Sequence, residues 1–195
     1  MTYRPPIRDL ALALRTAGLP QLLAETSNDL DEETAIAVLE AAGELIASEF
    51  APLNRKGDLV GAKHDGAGVV AVPGFAKAYG DFAAGGWNAL AADPEHGGQG
   101  LPKALEYAVF EMAQAANASL ALCPMLTQGA IDALVHHGSE RQKRLVLPKM
   151  VSGEWTGTMN LTEPQAGTDL ASVATRAEPD GNGGYRLTGQ KIFIT

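Results

Sequence analysis

Apolar residues recur at helical spacing through most of the chain and switch to an alternating period near its end. Ile7, Leu10, Leu14 and Ala17 predict a short helix over 7–17. Asp29 and Glu32 stand at capping-box spacing ahead of a longer helix, about residues 31–50, whose stripe is Ile36, Leu39, Gly43, Ile46 and Phe50. Pro52 to Gly74 is glycine-rich and weakly patterned, and it reads as a long surface excursion. Phe75, Tyr79 and Phe82 align on a helix around 73–84. Gly85-Gly86-Trp87 and the run from Asp93 to Pro102 form a loop whose glycines permit tight turns. Pro102 can open the next helix, with Leu105, Val109, Met112 and Ala116 on one face. Asn117 to His137 reads as another helix, apolar on every side, and such a helix is normally buried. Gly138 ends it, and Ser139 with Gln142 gives a second capping box for a helix to about Met150, closed by Gly153.

From Trp155 the period shortens. Thr156 to Leu161 is strand-like, and Val173, Thr175 and Ala177 alternate with Ala174, Arg176 and Glu178. Asp180 to Gly184 is a turn, after which Tyr185 and Leu187 alternate with Arg186 and Thr188. The predicted architecture is a mainly α-helical N-terminal domain over 1–153, followed by the start of an antiparallel β domain over 154–195. Thr195 falls inside an alternating apolar run. This leads to the expectation that the sequence is the N-terminal part of a longer protein with an incomplete β domain.

Composition narrows the functional classes. Hydrophobic content of 46% is enough for a core. A net charge of -8, from 15 basic and 23 acidic residues, argues against nucleic acid or an anionic membrane as partner. Cys123 is the only cysteine, so no intrachain disulfide can form; a reducing, cytoplasmic setting is expected. The first residues begin no signal peptide, and no run of ~20 apolar residues is evident, so no membrane span is expected.

Familiar chemical signatures are missing. The four histidines lack metal-ligand spacing with Cys123 or a carboxylate cluster, and no G-x-G-x-x-G or phosphate-loop pattern is present. The informative stretch is Met159-Asn160-Leu161-Thr162-Glu163-Pro164-Gln165-Ala166-Gly167-Thr168-Asp169. An apolar segment runs into a Glu-Pro corner and opens into a glycine-containing turn. Such a turn leaves backbone N–H groups and two threonine hydroxyls facing outward, donors suited to a planar ligand with several acceptors. Glu163 and Asp169 could act as bases in principle. The favoured reading is that Glu163 fixes the corner and Asp169 caps the following turn.

Together with Gln190-Lys191-Ile192-Phe193-Ile194-Thr195, this stretch resembles the flavin signature of the acyl-CoA dehydrogenases, L-T-E-P-x-A-G-S-D followed by G-x-K-x-W-I-T. The Pro94–Gly100 run stands where that family has a P-E-x-x-G-G-x-G loop, and the N-terminal residues resemble its longer bacterial branch, which includes 3-methylmercaptopropionyl-CoA dehydrogenases. The resemblance implies α,β-dehydrogenation of an acyl-CoA thioester with FAD as hydride acceptor. It places Met159, Leu161, Thr162, Gly167, Thr168, Phe193, Ile194 and Thr195 against the cofactor, with Thr168 also at the substrate. It further implies an electron acceptor flavoprotein, a homo-oligomer, and a wall of the acyl pocket supplied by the helix over 117–137. Thr168 stands for the family's serine and Phe193 for its tryptophan. The family's base lies in a later helical domain, so no catalytic residue is assigned, and the 195-residue chain alone is expected to be inactive and to retain little flavin. Two alternatives stay open: an acyl-CoA oxidase-type flavoenzyme, and a cofactor-free helical interaction module.

Overall fold

The computed structural model describes residues 3–25 and 30–194. Two helices open the chain, α1 (Ile7–Thr16) and α2 (Leu19–Glu25), turned against each other at Gly18, whose φ of 95° suits glycine. The apolar spacing signals only the first of them. Helix α3 (Glu32–Leu45) starts at Asp31, whose carboxylate accepts from Thr34 N at 2.8 Å. Asp29, the expected cap, lies outside the described residues.

A π-helical turn, Ile46–Phe50, carries α3 directly into α4 (Ala51–Val60). The surface excursion expected from Pro52 is therefore helix as far as Val60. Pro52 sits at the start of α4, directly after the π-helical turn. Gly57 lets the Phe75 ring approach, since a Cβ there would lie 3.0 Å from it. A two-residue hairpin follows, β1 (Lys63–His64) against β2 (Val69–Val70), its turn closed by Asp65 Oδ1 accepting from Ala67 N and Gly68 N.

Helix α5 (Phe75–Ala84) leads through the glycine loop to α6 (Lys103–His137). Helix α6 breaks at Asn117, whose backbone is non-helical (φ -161°, ψ 87°), so it is two helical segments joined where the sequence boundary falls. Asn117 is buried. Its Nδ2 donates to Phe50 O at 3.1 Å, and its Oδ1 accepts from Leu120 N at 3.2 Å, capping the second segment. That segment is not buried all round, because Leu122 and Val135 are exposed. By length and composition alone, α6 is long and apolar enough to cross a membrane. Helix α7 (Glu140–Val151) begins at the expected capping box, with Ser139 and Gln142 bonded reciprocally.

The stripe of α3 and its π-helical extension buries Leu39, Ile46 and Phe50, and these meet Phe82 and Phe110 in one core. The Phe50 and Phe82 ring centroids lie 5.4 Å apart, and those of Phe82 and Phe110 6.1 Å apart. Each such aromatic or aliphatic side chain contributes about 1.5–3 kcal/mol by leaving water. A smaller cluster gathers Ile131, Leu147, Met150 and Val151.

The chain divides into two compact units, Met1–Gly157 and Thr158–Thr195. The second holds a 3-10 turn (Leu170–Ser172) and an antiparallel hairpin, β3 (Arg176–Pro179) with β4 (Tyr185–Thr188), in which Ala177 faces Leu187. Neither Thr156–Leu161 nor Lys191–Ile194 forms a strand, although both alternate in sequence. A strand needs a ladder partner, and the backbone bond from the second run, Ile192 N to Thr162 O, falls one residue past the end of the first.

Candidate functional site

The second unit is organised around one carboxylate. Glu163 N and Ala166 O, and Ala166 N and Glu163 O, bond at 3.0 Å each, which closes the Glu-Pro corner. The Glu163 side chain turns inward and is 2% exposed. It accepts from Lys191 Nζ at 2.8 Å, Ala174 N at 2.8 Å, Thr175 N at 3.0 Å and Gln165 Nε2 at 2.6 Å. The Lys191 ammonium above all, helped by the N–H groups of Ala174 and Thr175, holds this carboxyl far below the ordinary carboxylate range. An anion so fully engaged is a poor proton acceptor. Asp169 is engaged too, its Oδ1 accepting from Ala171 N at 3.1 Å and its Oδ2 from Ser172 Oγ at 2.6 Å. Both acidic residues do the structural work expected of them.

Lys191 also donates to Leu161 O at 3.0 Å, and Ile192 N donates to Thr162 O at 3.0 Å. These bonds bring Leu161 and Thr162 together with the run that carries Phe193 and Ile194. Thr162 is partly buried, and its N–H and hydroxyl have no partner among the described residues. Gly167 is exposed, with nothing within 4 Å of where a Cβ would stand. Thr168 is exposed; its carbonyl accepts from Leu170 N, while its own N–H and hydroxyl are unpaired among the described residues. Met159 is 62% exposed and bonded to neither run. Phe193 presents its ring to solvent, 89% exposed, on a backbone with φ 56°. It is the one non-glycine residue with positive φ among those described, a conformation that costs roughly 1–2 kcal/mol. Ile194 is 39% exposed, and Thr195 lies outside the described residues.

The donor set suits a flat, acceptor-rich ring such as a flavin. N–H and O–H groups without partners among the described residues stand at Thr162 and Thr168, Gly167 allows close approach, and an aromatic face is held out at Phe193. The sequence singles out these residues but not what aims them. Lys191 and Gln165 lie within the motifs, yet only the fold shows both on the Glu163 carboxylate.

The first unit has a groove of about 580 Å³ lined by Glu106, Phe110, Met125, Gln128 and Asp132, among others. Glu106 is buried, and burial pushes its carboxyl up. Burial likewise raises the Cys123 thiol, which argues against a reactive thiolate there.

Comparison with known proteins bears on both units. A family model described as "Acyl-CoA dehydrogenase, N-terminal domain" matches residues 32–154. The 3-methylmercaptopropionyl-CoA dehydrogenase of Ruegeria pomeroyi is 44% identical over 197 aligned positions, covering 100% of this chain and 34% of that protein. The chain thus spans about a third of that relative's length. Among solved structures, the butyryl-CoA dehydrogenase of Megasphaera elsdenii shares the fold with a TM-score of 0.71 at 24% identity, over 87% of this chain and 42% of that one. An acyl-CoA dehydrogenase from Bacillus anthracis, complexed with FAD, gives 0.71 at 23% identity, over 87% of this chain and 27% of that one. The match over most of the helical unit and the identity along the whole chain place this sequence in the acyl-CoA dehydrogenase family.

Proposed function

We propose that this chain supplies the N-terminal helical domain, residues 1–153, and the first flavin-facing segments, residues 154–195, of an FAD-dependent acyl-CoA dehydrogenase. Its substrate is an acyl-CoA thioester and its electron acceptor a flavoprotein; it works as a homo-oligomer in the cytoplasm. The observation that carries this reading is the Thr162 peptide. Among the described residues its N–H and hydroxyl are unpaired, while the carbonyls of Leu161 and Thr162 are both tied to the Lys191–Ile192 run. Donors held by their neighbours but not used by them are preorganised for a ligand.

Removing hydrogen from adjacent carbons of a thioester takes a base for one proton and an acceptor for a hydride. No side chain accepts a hydride, and FAD supplies that capacity when bound. This chain's residues would hold and orient the ring. The N–H of Leu161 and Thr162 and the Thr162 hydroxyl would donate to its polar edge. Phe193 and Ile194 would pack on it, with Met159 beside them, and Thr195 would follow on the same run. Gly167 leaves room for the ring and the thioester, and the Thr168 hydroxyl would donate where they meet. The proton acceptor is not assigned to this chain, because Glu163 and Asp169 are both committed to structural hydrogen bonds.

The test is to purify the complete protein and record its visible spectrum before and after anaerobic addition of acyl-CoA. A flavin band that bleaches with acyl-CoA supports the proposal. A colourless protein that takes up no added FAD contradicts it.

A further inference from the structure

Four groups from three parts of the second unit converge on Glu163. Gln165 comes from the corner, Ala174 and Thr175 from the approach to β3, and Lys191 from the run that ends in Phe193 and Ile194. Lys191 brings the only positive charge to this carboxylate among the described residues, across a separation of 28 positions. Its side chain is 22% exposed against 2% for Glu163, so the pair is largely out of water.

The same ammonium holds the Leu161 carbonyl at 3.0 Å. The consequence follows from covalent geometry. The Leu161–Thr162 peptide is trans and planar, so its C=O and N–H point in opposite directions. Fixing the Leu161 oxygen on Lys191 therefore turns the Thr162 N–H away from Lys191, and it finds no partner there among the described residues. The next carbonyl, Thr162 O, is held by Ile192 N, the residue after Lys191. One lysine thus fixes the peptide plane that carries the free donor and the backbone run that carries the exposed ring of Phe193.

We propose that Lys191 is a positioning residue: by gripping the Leu161 carbonyl and the Glu163 carboxylate together, it aims the Thr162 N–H and sets Phe193 beside it as one edge for the flavin. This assignment rests on the FAD reading above. Lys191 acts through Thr162 and Phe193 and not by touching the ring. Its loss releases the Leu161 carbonyl and leaves a buried carboxylate with neutral donors alone, so the peptide plane can rotate.

The experiment uses the complete protein with Lys191→Met, which keeps length and removes the charge, and Lys191→Arg, which keeps the charge. Each is titrated with FAD, the spectrum of the flavin-saturated form is recorded, and exchange of the Ile192 amide is followed without FAD. Helical circular dichroism serves as the folding control. In Lys191→Met, FAD affinity falls about ten- to hundredfold, the range of one charged hydrogen bond. The saturated flavin spectrum shifts, and the Ile192 amide exchanges faster. Lys191→Arg recovers most of each change. Parental affinity, spectrum and exchange in Lys191→Met overturn the inference while leaving the FAD reading intact. So does weaker binding with an unchanged saturated spectrum that arginine does not rescue, which marks the lysine as structural only. Should Lys191→Met not fold, Lys191→Gln takes its place, and an unshifted saturated spectrum there overturns the inference equally. A parent protein that takes up no FAD overturns the reading and the inference with it.

Discussion

In the unit Met1–Gly157 the fully buried positions include Phe50, Phe82, Leu39, Ile46, Leu90, Leu105 and Met112. In the unit Thr158–Thr195 the described residues bury one apolar side chain, Ala166, and one carboxylate, Glu163. The first unit is held by area removed from water, which is non-directional and tolerant of small changes in shape. The second is held by hydrogen bonds that converge on a single anion, and these are directional. A packed core sets where helices lie. A carboxylate with several donors sets which way individual peptides face, and peptide orientation decides which N–H groups remain for a ligand.

This contrast is broken most severely in the helical unit. Phe82→Ala removes a ring that is 0% exposed and lies between Phe50 and Phe110. The expected loss is about 3–5 kcal/mol in a denaturant titration followed by helical circular dichroism. A loss below about 1 kcal/mol, the size of an ordinary surface change, would contradict the assignment of the core.

Asn117→Ala tests the exception within that unit, a buried polar side chain at the break in α6. It removes the donor to Phe50 O and the acceptor for Leu120 N. The expected cost is about 2 kcal/mol, from an unpaired buried carbonyl and a lost cap. An equal loss from Asn117→Asp would show that the donor to Phe50 O alone matters, because aspartate keeps the acceptor that caps the helix and gives up the donor.

The second unit should respond to acid more strongly than the packed core of the first. The folded Glu163 carboxyl lies far below its unfolded value of about 4.3. Its contribution is therefore fully present above about pH 5 and is lost as pH falls from there toward the folded value. The Ala174, Thr175 and Ile192 amides should lose protection from hydrogen exchange across that range while the α3 and α6 amides keep theirs. Glu163→Gln should lower their protection at neutral pH and flatten its pH dependence. Amides whose protection does not change between pH 7 and pH 3 would show that the carboxylate does not organise this unit.

How much of this is legible in the sequence follows the same division. The helical spacing that places Leu39, Ile46 and Phe50 on one face is a property of neighbours in sequence, and so are the capping box at Ser139 and the break at Asn117. Helix α4 is not legible, because Pro52 and Gly57 read as helix breakers unless their places in the first turn and against Phe75 are known. Alternation over Thr156–Leu161 suggests a strand, but strands depend on partners that spacing cannot supply. At the candidate site the motif residues are legible by resemblance, and the Glu-Pro corner by its chemistry. The Lys191–Glu163 pair is not legible, since a separation of 28 positions carries no periodic signal.

The central claim is that the Thr162 donors, held from behind by the Lys191 run, grip a flavin. The most direct measurement is the FAD dissociation constant of the complete protein beside that of Thr162→Val, which keeps the side-chain shape and removes the hydroxyl. FAD should bind the parent, and the valine variant should bind it about tenfold or more weakly, the effect of losing one hydrogen bond to a charged or strongly polar group, with helical circular dichroism unchanged. Equal affinity in the two proteins, or no FAD binding in the parent, would contradict it.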